Sequence, residues 1–412
     1  MPNHRELALL SRRAVVLACG ALGAAVAARV TPSTAFPGLE PAPAARRAAT
    51  AAQFFDSPAI ADYKRRLAEY EEAHGAFEAE ASAYWSEISA KRRERNAKRR
   101  DRIPLAADDY VLTQPPVYEG PKRPVNPNPD LVPEKPPRPP KYIPVVADFL
   151  SAAQAHFQFV PQRPSNEAEF KRAYVRTALA EGLTRDQIVR VYAFETGGNG
   201  AYTMQSGFAS GRADAHAIST AVGYNQLLTT NTVELLAEKG EHFVHVLTEK
   251  VRTLAGAERK ALEHKIAVLK RMVALCRSVP DDWNEHEKIA NTEEGWGMHA
   301  MVLDIDVGPL LQTHKLLTSV LFAREKGVTR TLTAAELEMM NLTGDGTGLD
   351  MVTMPQPLRE QVPTANFFQR GGYERNPVAV RHNTVARLFA VMNARMDGAQ
   401  GAAGVRDMAS LF

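Results

Sequence analysis

Between residues 104 and 144 the chain carries 13 prolines, in runs such as PPVYEGPKRPVNPNP and PEKPPRPP. Proline has no backbone N–H to donate and its φ is fixed, so this stretch can form neither a helix nor a sheet ladder and favours extended polyproline conformations. It is a spacer or a strap, and the 412 residues have to be organised on either side of it. That length allows two domains, or one domain with long appendages. With 45% of residues in the hydrophobic set and 24% charged, the chain can bury a substantial core. A net charge of +3 argues against a dedicated nucleic-acid binder, which needs a clear excess of Lys and Arg on one surface.

Residues 1–35 run from a polar start through Ser11, Arg12 and Arg13 to the apolar AVVLACGALGAAVAA and then the small residues around Ala35. That is the layout of a secretory signal, and the paired arginines after a serine give it a twin-arginine character. A buried N-terminal helix is the alternative. Export places the protein in the periplasm or outside the cell. The two cysteines are Cys19 and Cys276; loss of the first with the signal leaves one, which excludes an internal disulfide, and two cannot make a cysteine zinc cage. After a linker over 36–57, apolar residues recur at spacings of three and four from Ile60 through Tyr63, Leu67, Tyr70, Phe77 and Tyr84 to Ile88. This heptad seam predicts a long helix over 58–102 with one narrow stripe for a partner helix, an envelope protein or the body of the same chain. It ends in KRRERNAKRR, seven basic residues against one acid. Two readings are open for that tract: a solvated helix end, where cations suit the helix dipole, or peripheral attraction to anionic lipid or an acidic wall polymer.

Beyond the proline-rich linker (103–144), helical patterning runs from 145 to 396, leaving 397–412 as a tail. Asn166 with Glu169, Thr184 with Gln187 and Thr333 with Glu336 are spaced as capping boxes. Alternating strand patterns are scarce, so the fold class is mainly α. Within this region TRDQIVRVYAFETGGNG carries the most chemistry. On a helix starting after Thr184, Ile188, Val191, Tyr192 and Glu195 share one face, so the carboxylate points inward at the helix end, and Gly197 and Gly198 then break the chain. Burial favours the neutral carboxylic acid, the form a general acid needs. A structural Glu paired with an arginine, or capping a neighbouring helix, fits the same pattern.

Taken with the following AVGYNQLL and the helical NTVELLAEKG, Glu195-Thr196 and Ser219 resemble the soluble lytic transglycosylases of the goose-lysozyme superfamily. The resemblance covers about 45 residues. In that family a catalytic Glu closing a helix is followed by Ser, here replaced by Thr196, and then by a Ser-x-x-Gly-x-x-x-Gln run, matched here by Ser219, Gly223 and Gln226. Tyr224 and Asn225 stand where Leu and Met are usual, and MQSGFASGRADAH reads as an insertion. The family's third motif, an aromatic followed by Asn and Gly, has its best counterpart in Met340-Asn341-Leu342-Thr343-Gly344, without the tyrosine and after a charged helical pair over about 245–275. The resemblance implies a lysozyme-like helical domain that cleaves peptidoglycan glycan strands. Glu195 would be general acid and then base, giving 1,6-anhydro-muramyl ends, with Thr196 supporting it and Ser219, Gly223, Tyr224, Gln226 and Asn341 binding sugar. It implies no cofactor and no metal. The absence of a second acid from AVGYNQLL suits this single-carboxylate scheme, with Asp214 in the insertion the nearest challenger. A hydrolytic muramidase using the same Glu, or a noncatalytic envelope scaffold that grips glycan, are the alternatives.

Other polar residues are less directed. His299, Asp304, Asp306 and His314 make a loose metal candidate against a plainer account as scattered helical polar residues, with no HExxH-type pairing among them. Cys276 has no catalytic signature around it. Trp283 and Trp296 suit either the core or a sugar face, and Phe367, Phe368 and Tyr373 either a packed loop or a groove wall. TGDGTGLD (343–350) lacks the Lys of a phosphate loop and the spaced acids of a calcium loop, and reads as a turn.

Overall fold

A computed structural model describes residues 58–101, 103–127, 142–208 and 215–412. The export signal, the linker before residue 58 and Asp214 lie outside the described residues. The chain divides into two compact units, one containing residues 58–127 and the other residues 142–412. Among the described residues the fold is mainly α-helical, with isolated β-bridges in place of strands, and no helix is long and apolar enough to cross a membrane.

The first unit is helix α1, Pro58–Arg100, and the proline-rich strap that turns back along it. The heptad stripe is real, and from Tyr70 to Tyr84 this strap lies against it. Tyr118 sets its ring against Tyr70, His74 and Phe77, at centroid distances of 6.1, 5.3 and 5.4 Å. One helical stretch further on, the Tyr84 hydroxyl donates to the Thr113 carbonyl at 2.9 Å. The basic tract is also partly consumed at home, contrary to a wholly solvated or lipid-facing end. Arg95 is buried, donates to the Asp109 carbonyl at 2.9 Å and lies 4.5 Å over the Tyr110 ring, while Lys98 pairs with the Asp109 carboxylate at 2.5 Å. An extended segment without ladder partners can bind a helix this way because its carbonyls remain free to accept.

Among the described residues the second unit holds these further α-helices: α2 (Val146–Phe157), α3 (Glu167–Ala180), α4 (Arg185–Thr196), α5 (Thr229–Val251), α6 (Gly256–Cys276), α7 (Trp283–Ala290), α8 (Glu293–His299), α9 (Val307–Glu325), α10 (Ala334–Thr343), α11 (Asp345–Thr353), α12 (Gln356–Gln361), α13 (Arg370–Glu374), α14 (Pro377–Arg381), α15 (Val385–Gly398) and α16 (Ala403–Ala409). The Thr184/Gln187 and Thr333/Glu336 boxes cap α4 and α10 reciprocally. The Asn166 box closes on one side only, since Glu169 turns its carboxylate to Ser165 instead. The segment read as a glycine-rich turn is helix α11: Gly344, at φ +83°, ends α10, and Asp345 starts the next helix with its carboxylate held by Ser319 at 2.5 Å. The tail is also part of the fold, because α16 packs on α3 and α4, with the buried Lys171 ammonium donating to the Gly404 carbonyl at 3.2 Å.

Helix α9 is the centre. It packs on α3, α5, α10 and α11 and is buried along most of its length. Its start is fixed by an ionic cluster in which Lys265, from α6, meets Asp304 at 2.9 Å and also Asp306, which Lys250 from α5 reaches at 2.5 Å. Helices α5 and α6 form an antiparallel pair that closes on Gly240, where an added Cβ would stand 2.3 Å from a Val273 methyl. Gly240→Ala should therefore lower stability by about 1–3 kcal/mol, and Val273→Ala in the same chain should recover part of the loss. Denaturant unfolding of the two single variants and the double variant tests this; additive losses would refute the close approach.

Candidate active site

Glu195 is the penultimate residue of α4, and its neighbours on the inward face, Ile188, Val191 and Tyr192, are fully buried as the spacing requires. The enclosure goes further than one face, because Val189, Ala193, Phe194 and Thr196 are buried as well. Flanking helices α10, α15 and α16 account for this. Left-handed Gly197 (φ +64°) and Gly198 (φ +84°) end the helix. An added Cβ on Gly198 would meet the Ala402 methyl at 2.6 Å, so the chain turns there within a space that only glycine fits.

The Glu195 side chain, on a residue 4% exposed, faces two residues of α10. Asn341 donates through Nδ2 to Glu195 Oε1 at 3.3 Å and also reaches Glu338 Oε2 at 3.4 Å. Glu338, fully buried, stands beside Glu195 across this shared amide nitrogen. Its Oε1 has no hydrogen-bond partner among the described residues, and each carboxyl acts on the other's affinity for protons. Burial pushes Glu195 up to about 7, against the influence of Glu338 and the positive charge of Lys315. Burial, then the Glu195 charge, hold Glu338 well above the usual carboxylate range. The pair thus keeps one proton through neutral pH. Lys315, on α9, acts on a wider acidic group: burial also raises Glu234, to about 7, and Asp345, and its charge lowers both.

The residues expected around Glu195 divide into two groups. Asn341 meets it. The second motif instead builds the loop between α4 and α5. Tyr224, expected to hold sugar, is fully buried among Tyr174, Tyr192 and Phe170, at ring distances of 5.4, 5.1 and 5.4 Å, and bonds to Glu167. A phenol in an aromatic core is held by its ring faces, which is why it turns inward. Gly223 (φ +86°) packs against Gln312 of α9, whose Nε2 would lie 2.0 Å from an added Cβ. Gln312 also accepts from the Asn225 N–H at 2.8 Å. Gln226, itself at φ +45°, spends its amide N–H on the Gly223 and Met204 carbonyls. Buried Ser219 accepts from Ala221 N–H at 3.2 Å. Thr196 donates to the Tyr192 carbonyl at 2.7 Å and accepts from Gly198 N–H at 3.2 Å, capping α4 rather than bonding the acid.

A second acid, Glu338, stands beside Glu195 from outside the AVGYNQLL run. Its signal lies in AAELEMMN, where Glu338 and Asn341 stand three apart on one face of the helix, away from the capping Glu336. The loose metal candidates do not converge: His299 bonds Thr232 and the Thr220 carbonyl, and Asp304 and Asp306 bind the lysines. Cys276 is fully buried and its thiol is pushed up to about 12 by burial. Phe367, Phe368 and Tyr373 are core residues, whereas Trp283 and Trp296 are half-buried. No family model, curated protein or solved structure matches this chain.

Because the folded pair holds protons that unfolded carboxyls release near 4.5, it contributes most to stability at low pH, and the contribution is lost as pH rises toward and beyond 7. Glu195→Gln should therefore gain stability relative to the parent between pH 5 and pH 8, by on the order of 2–3 kcal/mol. Urea unfolding at the two pH values measures it; a difference independent of pH would show that the pair is not raised.

Proposed function

We propose that the protein is a peptidoglycan lytic transglycosylase, exported to the periplasm or beyond, with a lysozyme-like helical domain in which Glu195 is the general acid and base. The observation that carries the reading is the buried carboxyl at the end of α4, set beside Glu338, held by Asn341 and raised to about 7. An acid with that affinity for protons can protonate a glycosidic oxygen at neutral pH and take a proton back afterwards. The resemblance around Glu195, Thr196, Ser219, Gly223 and Gln226 supplies the substrate: the β-1,4 bond from N-acetylmuramic acid to N-acetylglucosamine.

Glu338 does not turn this into a two-carboxylate glycosidase. Retaining enzymes separate their carboxyls by about 5 Å and inverting ones by more, leaving room for sugar or water between them. The single Asn341 Nδ2 instead reaches both Glu195 Oε1 and Glu338 Oε2, at 3.3 and 3.4 Å, so the two carboxyls stand side by side rather than across a sugar from each other. Glu338 is a positioning residue that holds a proton beside Glu195. With no second carboxylate across the sugar, intramolecular attack by the muramyl C6 hydroxyl on C1 completes the bond exchange as the glycosidic oxygen takes the Glu195 proton. Glu195 then recovers its proton from that hydroxyl. Asn341 offers Oδ1, which is buried and has no hydrogen-bond partner among the described residues, as an acceptor suited to an acetamido N–H.

Glu195→Gln should slow glycan release from purified peptidoglycan by about 100-fold or more, with folding intact. Mass spectrometry of the products should show 1,6-anhydro-muramyl ends. Unchanged clearing by the variant would remove the assignment, and reducing ends would make the enzyme a hydrolase.

A further inference from the structure

A second polar cluster lies where three helices meet. Glu181 caps the C-terminal end of α3, His242 stands on α5 and His314 on α9. Each brings one ligand atom to within 4.8 Å of the others. Glu181 Oε1 is 2.8 Å from His242 Nε2, and its Oε2 is 3.5 Å from His314 Nε2. His314 is 3% exposed, yet neither of its ring nitrogens has a hydrogen-bond partner among the described residues. The Phe243 ring packs against it at 5.0 Å and the His242 ring at 5.2 Å, leaving Glu181 as the polar group it faces. A buried imidazole with both nitrogens unmet is unusual unless something else occupies them.

We propose that Glu181, His242 and His314 form a binding site for a single divalent transition-metal ion of the zinc class. Two imidazoles and one carboxylate are a donor set such ions accept, in a tetrahedral arrangement whose fourth position is left to water. The ligand atoms lie within 4.8 Å of one another, close enough for small side-chain rotations to bring them around one ion. His242, with 41% of its side chain exposed, gives the ion a way in from solvent. The nearby Lys239 charge opposes binding but is itself paired with Glu238 at 3.9 Å. The ion would tie α3, α5 and α9 together at one point, a structural role that does not depend on the function proposed for Glu195.

The test uses the untagged full-length protein stripped with a chelator, titrated with Zn2+ by calorimetry and with Co2+ by visible absorption. The expected result is one equivalent of Zn2+ bound, Co2+ bands characteristic of a low-coordinate site, and a melting temperature that rises with added Zn2+. Glu181→Gln and His242→Ala should each weaken Zn2+ binding by about 100-fold or more, beyond the loss seen for residues that merely orient ligands. His242 is half-exposed, so its variant keeps the test open if a change at buried His314 prevents folding. Absence of Zn2+ and Co2+ binding by the parent protein, or binding that persists unchanged in both variants, would overturn the proposal.

Discussion

A helix enclosed on nearly all sides holds its polar side chains in place through whatever its neighbours offer them, and α9 carries several. Gln312 is met by the backbone of the 222–225 loop and Ser319 by Asp345; His314 faces Glu181 at 3.5 Å without a hydrogen bond, and Lys315 stands among the buried carboxyls. Each of these contacts sets a different part of the molecule against the same axis: the loop after α4, the start of α11, the end of α3 and the acidic site itself. Since an unmet buried polar group costs roughly 1–3 kcal/mol, these parts are positioned together or not at all.

The carboxyl pair shows how such a frame makes chemistry. Neither Glu195 nor Glu338 would hold a proton at neutral pH in water. Enclosure by the helices packed on α4 and α10 disfavours charge on both, repulsion from Glu195 disfavours it further on the deeper Glu338, and Lys315 works against the effect on each. The more exposed member is thereby left as the one that exchanges its proton near neutrality. That assignment follows from depth and from repulsion within the pair.

The parts of this arrangement legible in the sequence are those set by short-range periodicity. The face of α4, the caps at Thr184 and Thr333 and the glycine break after Glu195 follow from spacing alone. The long helix α1 does too, although its partner does not, since a proline-rich segment carries no period from which its docking could be read. Tyr224 was misplaced because a motif gives order along the chain, whereas the direction of a side chain is decided by the packing of Tyr174, Tyr192 and Phe170 around it. Glu338 escaped notice for a related reason. It lies 143 residues after Glu195 in the sequence, and only the contact of α10 with α4 makes them a pair.

The C-terminal helix α16 has a kinetic meaning. Gly404 donates its N–H to Asn199 at 3.0 Å across 205 residues of sequence, and an added Cβ there would stand 2.6 Å from the Gly198 carbonyl oxygen and the Tyr192 hydroxyl. The turn that closes α4 is therefore completed by residues synthesised 205 positions after it. At about 5–20 residues per second, a ribosome needs roughly 10–40 s between making the one and making the other. Throughout that interval the Glu195 end of α4 lacks the cover that α16 gives it, so the carboxyl is not fully enclosed, and its affinity for protons not fully raised, until the chain has been made as far as Gly404.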